Sequence, residues 1–233
     1  MKPNDVKCEF CEIRKEGVFH SLCSEEIKIL EENKSCSNYK KGQQLFHEGV
    51  YPVGVYCING GRFKLTKIGS EGKEQIVHIA SKGDLLGYKA MLTGDAYSVG
   101  AEAIEDSSVC FISKETFLNS VTRNPSLQGG LLEAVCKELQ IDRDKITSMA
   151  QRSVRDRVAS TLLMLMKTYG IDGKESEDIE INLSRTDLAN MVGTADETLI
   201  RQLKEFKNEG FIKTIGRKII VINASGLIRI AQD

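Results

Sequence analysis

The stretch from Ser184 to Gly210, SRTDLANMVGTADETLIRQLKEFKNEG, constrains the fold of this chain more than any other, because its residue chemistry specifies two short helices and a tight turn between them. Ser184 with Asp187, and Thr194 with Glu197, each satisfy the S/T-x-x-D/E pattern, in which a hydroxyl and a carboxylate engage orphan amides at a helix start. The two expected starts lie ten residues apart. Met191-Val192-Gly193 leaves room only for a turn, and Gly193 can take the positive φ that a sharp reversal demands. The expectation is a helix-turn-helix.

On the second helix Leu199, Leu203 and Phe206 fall on one side at helical spacing, and Glu197, Ile200, Arg201 and Lys204 on the other. The first face packs; the second is left to read. In a DNA major groove an Arg bonds both acceptors of guanine, a Glu accepts from the amino group of cytosine, and an Ile covers a thymine methyl. Such contacts sit near the N-terminus of a recognition helix. Glu197, Ile200 and Arg201 are therefore the candidate base-reading residues. The alternative is an ordinary surface helix in which Glu197 only caps and Arg201 only pairs with Glu205, four residues on.

Ile179 to Leu183 (IEINL) alternates as a short strand, and Phe211 to Ile222 (FIKTIGRKIIVI) reads as a hairpin turning at Gly216-Arg217. Strand, helix pair and hairpin spell a winged helix. Gly210 is placed to end the reading helix as its C′ residue. Ser184, Thr194, Lys204, Lys213, Arg217 and Lys218 are the candidate phosphate contacts. Between Ser184 and Ile222 seven Lys/Arg stand against five Asp/Glu, a local net of +2, whereas the whole chain carries a formal net charge of −1. That overall balance argues against indiscriminate coating of nucleic acid, so positive charge for a DNA partner has to be local.

With E-T-L-I-R at Glu197 to Arg201, the segment from Ile179 to Ile222 resembles the DNA-binding domain of the cyclic-AMP receptor protein and fumarate/nitrate-reduction regulator (CRP/FNR) family, whose recognition motif is E-T-x-x-R. The resemblance implies that Glu197 and Arg201 read the C·G and G·C pairs of a T-G-A-like half-site. Ile200 stands where a small residue is common in that family. Asp196 replaces the arginine of the cyclic-AMP branch, which removes one guanine contact.

From about Ser37 to Phe117 short alternating strands and glycine turns predominate: QLFHEG, GVYCINGG, RFKLTKIG, EQIVHIA, SVGAEAI and SVCFIS, an all-β sandwich or roll. Lys41-Gly42, Gly54 to Gly60, Gly83-Asp-Leu-Leu-Gly87 and Cys110-Phe-Ile resemble the effector domain of the same family, so the likeness covers nearly the whole chain. Where the cyclic-nucleotide branch supplies a carboxylate for the ribose and an Arg for the cyclic phosphate, this chain has Gly87-Tyr88-Lys89 and Tyr97-Ser98-Val99. Without the fork-shaped Arg a buried phosphate loses its bidentate partner, which points away from cyclic AMP. Tyr88, Lys89, Tyr97 and Ser98 line the corresponding effector position, with the two tyrosines expected as packing residues.

Seven cysteines and no apolar N-terminal core of a signal peptide suggest reduced thiols, metal ligation or redox sensing in the cytoplasm. The resemblance implies an iron-sulfur cluster on N-terminal cysteines plus one later strand position, which here selects Cys8, Cys11, Cys23 and Cys110. Tetrahedral zinc on the same four thiols is the second possibility, and a buried, unligated Cys110 the third. His20, His47 and His78 are scattered and no Ser/His/Asp set or phosphate-binding loop is present, so catalysis is not expected. The competing class is a redox or metal-binding protein whose C-x-x-C is the working site and whose helix-turn-helix is structural.

Between the halves, Leu132, Val135, Leu139, Asp142, Ile146 and Met149 recur at alternating steps of three and four, a heptad seam suited to a parallel homodimer. Asp142 interrupts it with a carboxylate that a two-fold axis would set beside its own copy. Val154 to Tyr169 follows as a further helix, and Lys174 to Asp178 as an acidic, solvated loop. The expected class is α+β in three parts: a cyclic-nucleotide-binding-like β-roll over residues 1–124, a dimerisation helix over 125–150 and a winged helix-turn-helix over 151–233. The family resemblance implies double-stranded DNA and RNA polymerase as partners, with activation and repression both open.

Overall fold

A computed structural model of the chain describes residues 7–11, 13–14, 17–170 and 179–232. The N-terminal half holds α1 (Ser24–Glu32), β1 (Lys34–Tyr39), β2 (Gln44–Phe46), β3 (Gly54–Gly60), β4 (Phe63–Ile68), β5 (Glu74–Ala80), β6 (Leu85–Leu86), α2 (Tyr88–Thr93), β7 (Gly100–Ala103), β8 (Ser107–Ser113) and α3 (Lys114–Arg123). Its strands form two four-stranded sheets, ordered β1-β8-β3-β6 and β2-β7-β4-β5. The roll read from the alternating strands is present. Alternation explains the two cores that flank the first sheet. Ile58 and Val109 point inward with Phe63, Ala101 and Ala103 of the second sheet, while Val55 and Ile112, on the opposite face, pack with Phe117, Leu127 and Leu131.

α4 (Pro125–Gln151) opens on a side-chain cap: the Asn124 Oδ1 accepts from the Leu127 N–H at 2.9 Å, and Pro125 takes the first helical position, where a missing N–H costs nothing. The chain divides into two compact units, one taking in the chain up to Glu71 with Val77–Gln140, the other Gly72–Ile76 with Ile141–Asp233. The division thus falls inside α4.

The second unit continues with α5 (Val154–Gly170), β9 (Glu180–Ile181), α6 (Arg185–Val192), α7 (Asp196–Asn208), β10 (Ile212–Ile215), β11 (Lys218–Val221) and α8 (Ala224–Gln232). Val158, Leu162, Leu165 and Tyr169 are buried on one face of α5, the stripe read from the sequence. The sheet order is β10-β11-β9, with the β10/β11 hairpin turning at Gly216-Arg217 as expected. The acidic stretch from Lys174 to Asp178 lies outside the described residues. Among the described residues no helix is long and apolar enough to cross a membrane.

Candidate nucleic-acid interface

Local turn chemistry builds the helix pair. The Ser184 Oγ accepts from the Asp187 N–H at 2.9 Å and donates to the Asp187 carboxylate at 2.6 Å, closing the start of α6. Gly193 ends that helix at φ 72°, in the left-handed region that a side chain would strain. The start of α7 corrects the expectation for Thr194. The cap position is Ala195, with no side-chain cap, and the first turn carries Asp196 and Glu197, whose charges favour a helix N-terminus. Asp196 accepts from the Thr186 Oγ at 2.8 Å and so ties the first turn of one helix to the first turn of the other.

Arg157, which the sequence reading missed, bridges the turn from outside. Its guanidinium donates to the carbonyls of Val192 at 3.1 Å and Gly193 at 3.3 Å, satisfying acceptors that the end of α6 leaves open, and to the carbonyl of Arg152, just before α5, at 2.9 Å. Replacing Ser184 by Ala removes a cap and is expected to cost about 1 kcal/mol of stability. The check is a denaturant midpoint that falls at constant slope, and an unmoved midpoint refutes it.

The two faces of α7 separate as the spacing predicts. Leu199, Leu203 and Phe206 are buried, joined by Gln202. Glu197, Ile200, Arg201 and Lys204 are exposed, Ile200 by 53%. The ordinary-helix alternative had Arg201 paired with Glu205, but Glu205 takes Arg155 instead, at 3.5 Å. Among the described residues neither the Glu197 nor the Arg201 side chain has a hydrogen bond or ion pair within the protein, and both residues are exposed one helical turn apart. Gly210, at φ 77°, follows the C-cap Glu209, and the Phe211 N–H bonds back to the Phe206 carbonyl at 2.9 Å.

On the wing Lys213 and Arg217 are exposed, and the Arg217 carbonyl is held by Arg185 at 3.1 Å. Lys218 differs: its ammonium is paired with Glu180 across β11 and β9. Along α4, Leu132, Leu139, Asp142, Ile146 and Met149 are exposed, Leu132 and Ile146 by 65% and 68%. Val135 departs from that stripe, because it packs against the core of its own β-roll.

The effector candidates do not converge. Tyr88 belongs to the core beneath the helices, where burial first and the neighbouring Glu138 second push its hydroxyl up to about 12. Tyr97 belongs to the core between the sheets, stacked on Phe46 with ring centroids 4.0 Å apart. Both tyrosines pack, as expected. Lys89 is ion-paired with Glu138, and Ser98 is exposed, its carbonyl accepting from Lys67 at 3.1 Å.

The cysteine set is corrected. Cys23 is exposed at the N-cap of α1, where its N–H donates to Glu26 at 2.8 Å. Cys110 instead faces Cys36 on one neighbouring strand and Cys57 on the other. Cys8, in a 3-10 turn at Cys8–Phe10, is buried, and burial raises its thiol against the opposing hydrogen bond from Lys34. Among the described residues no group of three or more His, Cys, Asp or Glu is arranged to hold a metal ion. The signal for the true neighbours is cross-strand register, which spacing in the sequence does not carry.

Comparison with known proteins agrees with both halves. The model of the cyclic nucleotide-binding domain matches residues 36–124, and that of the Crp-like helix-turn-helix domain matches residues 156–230. The fumarate and nitrate reduction regulatory protein of Vibrio cholerae is 27% identical over 230 residues, covering 97% of this chain and 90% of the relative. Its namesake in Klebsiella oxytoca is 28% identical over the same shares. FixK2 from Bradyrhizobium japonicum has the same fold at a TM-score of 0.75, with 23% identity over 84% of this chain and 96% of its own. A CRP/FNR-family regulator from Thermus thermophilus follows at 0.71 and 22%, over 85% and 99%.

A cyclic nucleotide-binding-like β-roll joined to a Crp-like helix-turn-helix defines a DNA-binding transcriptional regulator, not an enzyme. The chain belongs to the CRP/FNR family.

Proposed function

We propose that this regulator works in the cytoplasm as a homodimer that reads a palindromic, TGA-like DNA site under the control of a signal received by its β-roll. The observation that carries the reading is the outward pair on α7: Glu197 and Arg201, exposed and unengaged by the protein, with Ile200 between them. A carboxylate and a guanidinium one turn apart suit the cytosine amino group and the guanine acceptors of neighbouring pairs. Ser184, Thr194, Lys204, Lys213 and Arg217 surround them as phosphate contacts that set register, and Lys218 joins them by exchanging its Glu180 partner. The exposed Leu132, Leu139, Ile146 and Met149 supply an apolar stripe for the second copy, with Asp142 the polar position within it. RNA polymerase is the further partner this reading implies.

Selection of bound duplexes from a random pool tests the whole reading. The expected product is an inverted repeat whose half-site centres lie about 34 Å, or roughly 10 base pairs, apart. A pool without inverted symmetry, or a monomer in sedimentation at the concentration that binds, refutes it.

A further inference from the structure

Three cysteines stand in one row across adjacent strands of the first sheet. Cys36 on β1 and Cys57 on β3 are both in register with Cys110 on β8, which lies between them. In-register residues of neighbouring strands share a face, here the face that also bears Val55 and Ile112 and packs beneath the helices. The Sγ atoms of Cys36 and Cys110 are 2.7 Å apart, about 0.7 Å beyond a disulfide bond of roughly 2.04 Å. Directly facing residues of an antiparallel pair have Cα atoms about 4.5 or 5.5 Å apart. Both spacings fall within the roughly 4.4–6.8 Å that a disulfide spans. Bond formation therefore asks for a small side-chain movement and no change of register.

We propose that Cys36 and Cys110 are a redox-active dithiol, which hydroperoxides oxidise to a cross-strand disulfide within one chain. Access assigns the roles. Both thiols are half-buried, but β1 is the edge strand of its sheet while β8 lies between two strands, so sheet order presents Cys36 to a small oxidant first. Lys34, two residues earlier on the same strand, holds its ammonium near Cys8, Cys36 and Cys110. Cys57 packs against the apolar core on the same face, where burial raises its thiol as it raises that of Cys110, and what singles out Cys36 as the partner of Cys110 is the contact between their sulfurs.

In the first step the Cys36 sulfur attacks the peroxide oxygen. The O–O bond breaks, an alcohol leaves with the thiol proton, and Cys36 becomes a sulfenic acid. In the second step the Cys110 sulfur attacks the sulfenic sulfur and the S–O bond breaks. The departing hydroxide takes the Cys110 proton as water. Two thiols and one hydroperoxide thus give one disulfide, one water and one alcohol, the alcohol being a second water when the oxidant is hydrogen peroxide, and two electrons pass from the sulfurs to the peroxide.

The test uses the full chain, purified under a reductant without a chelator, assayed for bound metal and then freed of the reductant. Hydrogen peroxide is added and removed with catalase, free thiols are blocked with N-ethylmaleimide, and the protein is digested for peptide mapping. The expected result is a loss of two of the seven thiols and one crosslinked peptide pair joining Cys36 to Cys110, reversed by dithiothreitol. Cys36→Ser removes the crosslink. An unchanged thiol count, a crosslink joining other cysteines, further oxidation without a crosslink, or a metal bound to these thiols in the purified protein each overturns the proposal. Mapping on the unmodified protein decides the matter alone, so a variant that fails to fold leaves the test intact.

Discussion

Arg201→Ala is expected to weaken binding to the selected duplex by about 5- to 150-fold per half-site, since a good bidentate contact to guanine is worth roughly 1–3 kcal/mol. A two-fold pair doubles the free energy, so the palindrome loses roughly 30-fold to more than 10⁴-fold in affinity. Glu197→Ala acts at a different base and, as long as the sites do not share a partner, its cost adds. The signature is positional: Arg201→Ala flattens discrimination at one base pair while leaving the others sharp. Lys204→Ala, at a phosphate position, weakens all sequences alike and reduces the salt slope by about one. Equal affinity and undiminished discrimination in Arg201→Ala, measured by competition with single-base variants, would mean that the exposed face of α7 is not the reader.

The C-terminal domain was legible because its specification is local. Ser184 caps one helix, Gly193 and Gly210 sit where positive φ is needed, and Gly216-Arg217 turns the wing; each is visible within a few residues of its effect. Thr194 marks the limit. Thr194-x-x-Glu197 fits the capping pattern as well as Ser184-x-x-Asp187 does, yet α7 begins at Asp196 after an Ala195 cap, with Asp196 tethered to Thr186 on the preceding helix. A tertiary bond outweighed a local pattern. Arg157 was illegible for the same reason, its acceptors lying 35 and 36 residues away.

The cysteines fail in the opposite way. Cys8-x-x-Cys11 draws attention by spacing, and family resemblance then places the strand position at Cys110. Which thiols meet Cys110 is decided by sheet order, and Cys36 lies 74 residues before it in sequence but directly beside it in register. Cys23 is near the N-terminal pair in the chain but is committed to the start of α1. The heptad shows a milder form of the problem: Val135 has the period of the seam, but the core of its own domain claims its side chain. Periodicity identifies a face without saying which neighbour covers it.

Phe206→Ala is expected to lower stability by about 3–5 kcal/mol, the usual cost of emptying a buried aromatic site. The side chain is fully buried on the inner face of α7, with the Phe211 ring edge-on at 5.9 Å and the Arg155 guanidinium 4.9 Å from its centroid. Arg155 is fixed over that ring by Glu209 at 2.7 Å and Glu205 at 3.5 Å, so the cavity also removes the platform that orients an ion-pair group at the end of the helix. Against a domain stability of about 5–15 kcal/mol the loss is large, and the denaturant midpoint should drop well clear of error. Phe206→Leu keeps much of the volume and should lose markedly less. The informative comparison is with Arg201→Ala. Phe206 touches no base, so the fraction of Phe206→Ala that remains folded at low temperature should keep the base preferences of the parent, while Arg201→Ala should keep the parent's midpoint and lose the preference. If Phe206→Ala changes discrimination while fully folded, the inner and outer faces of α7 are coupled, and the division between a packing face and a reading face fails.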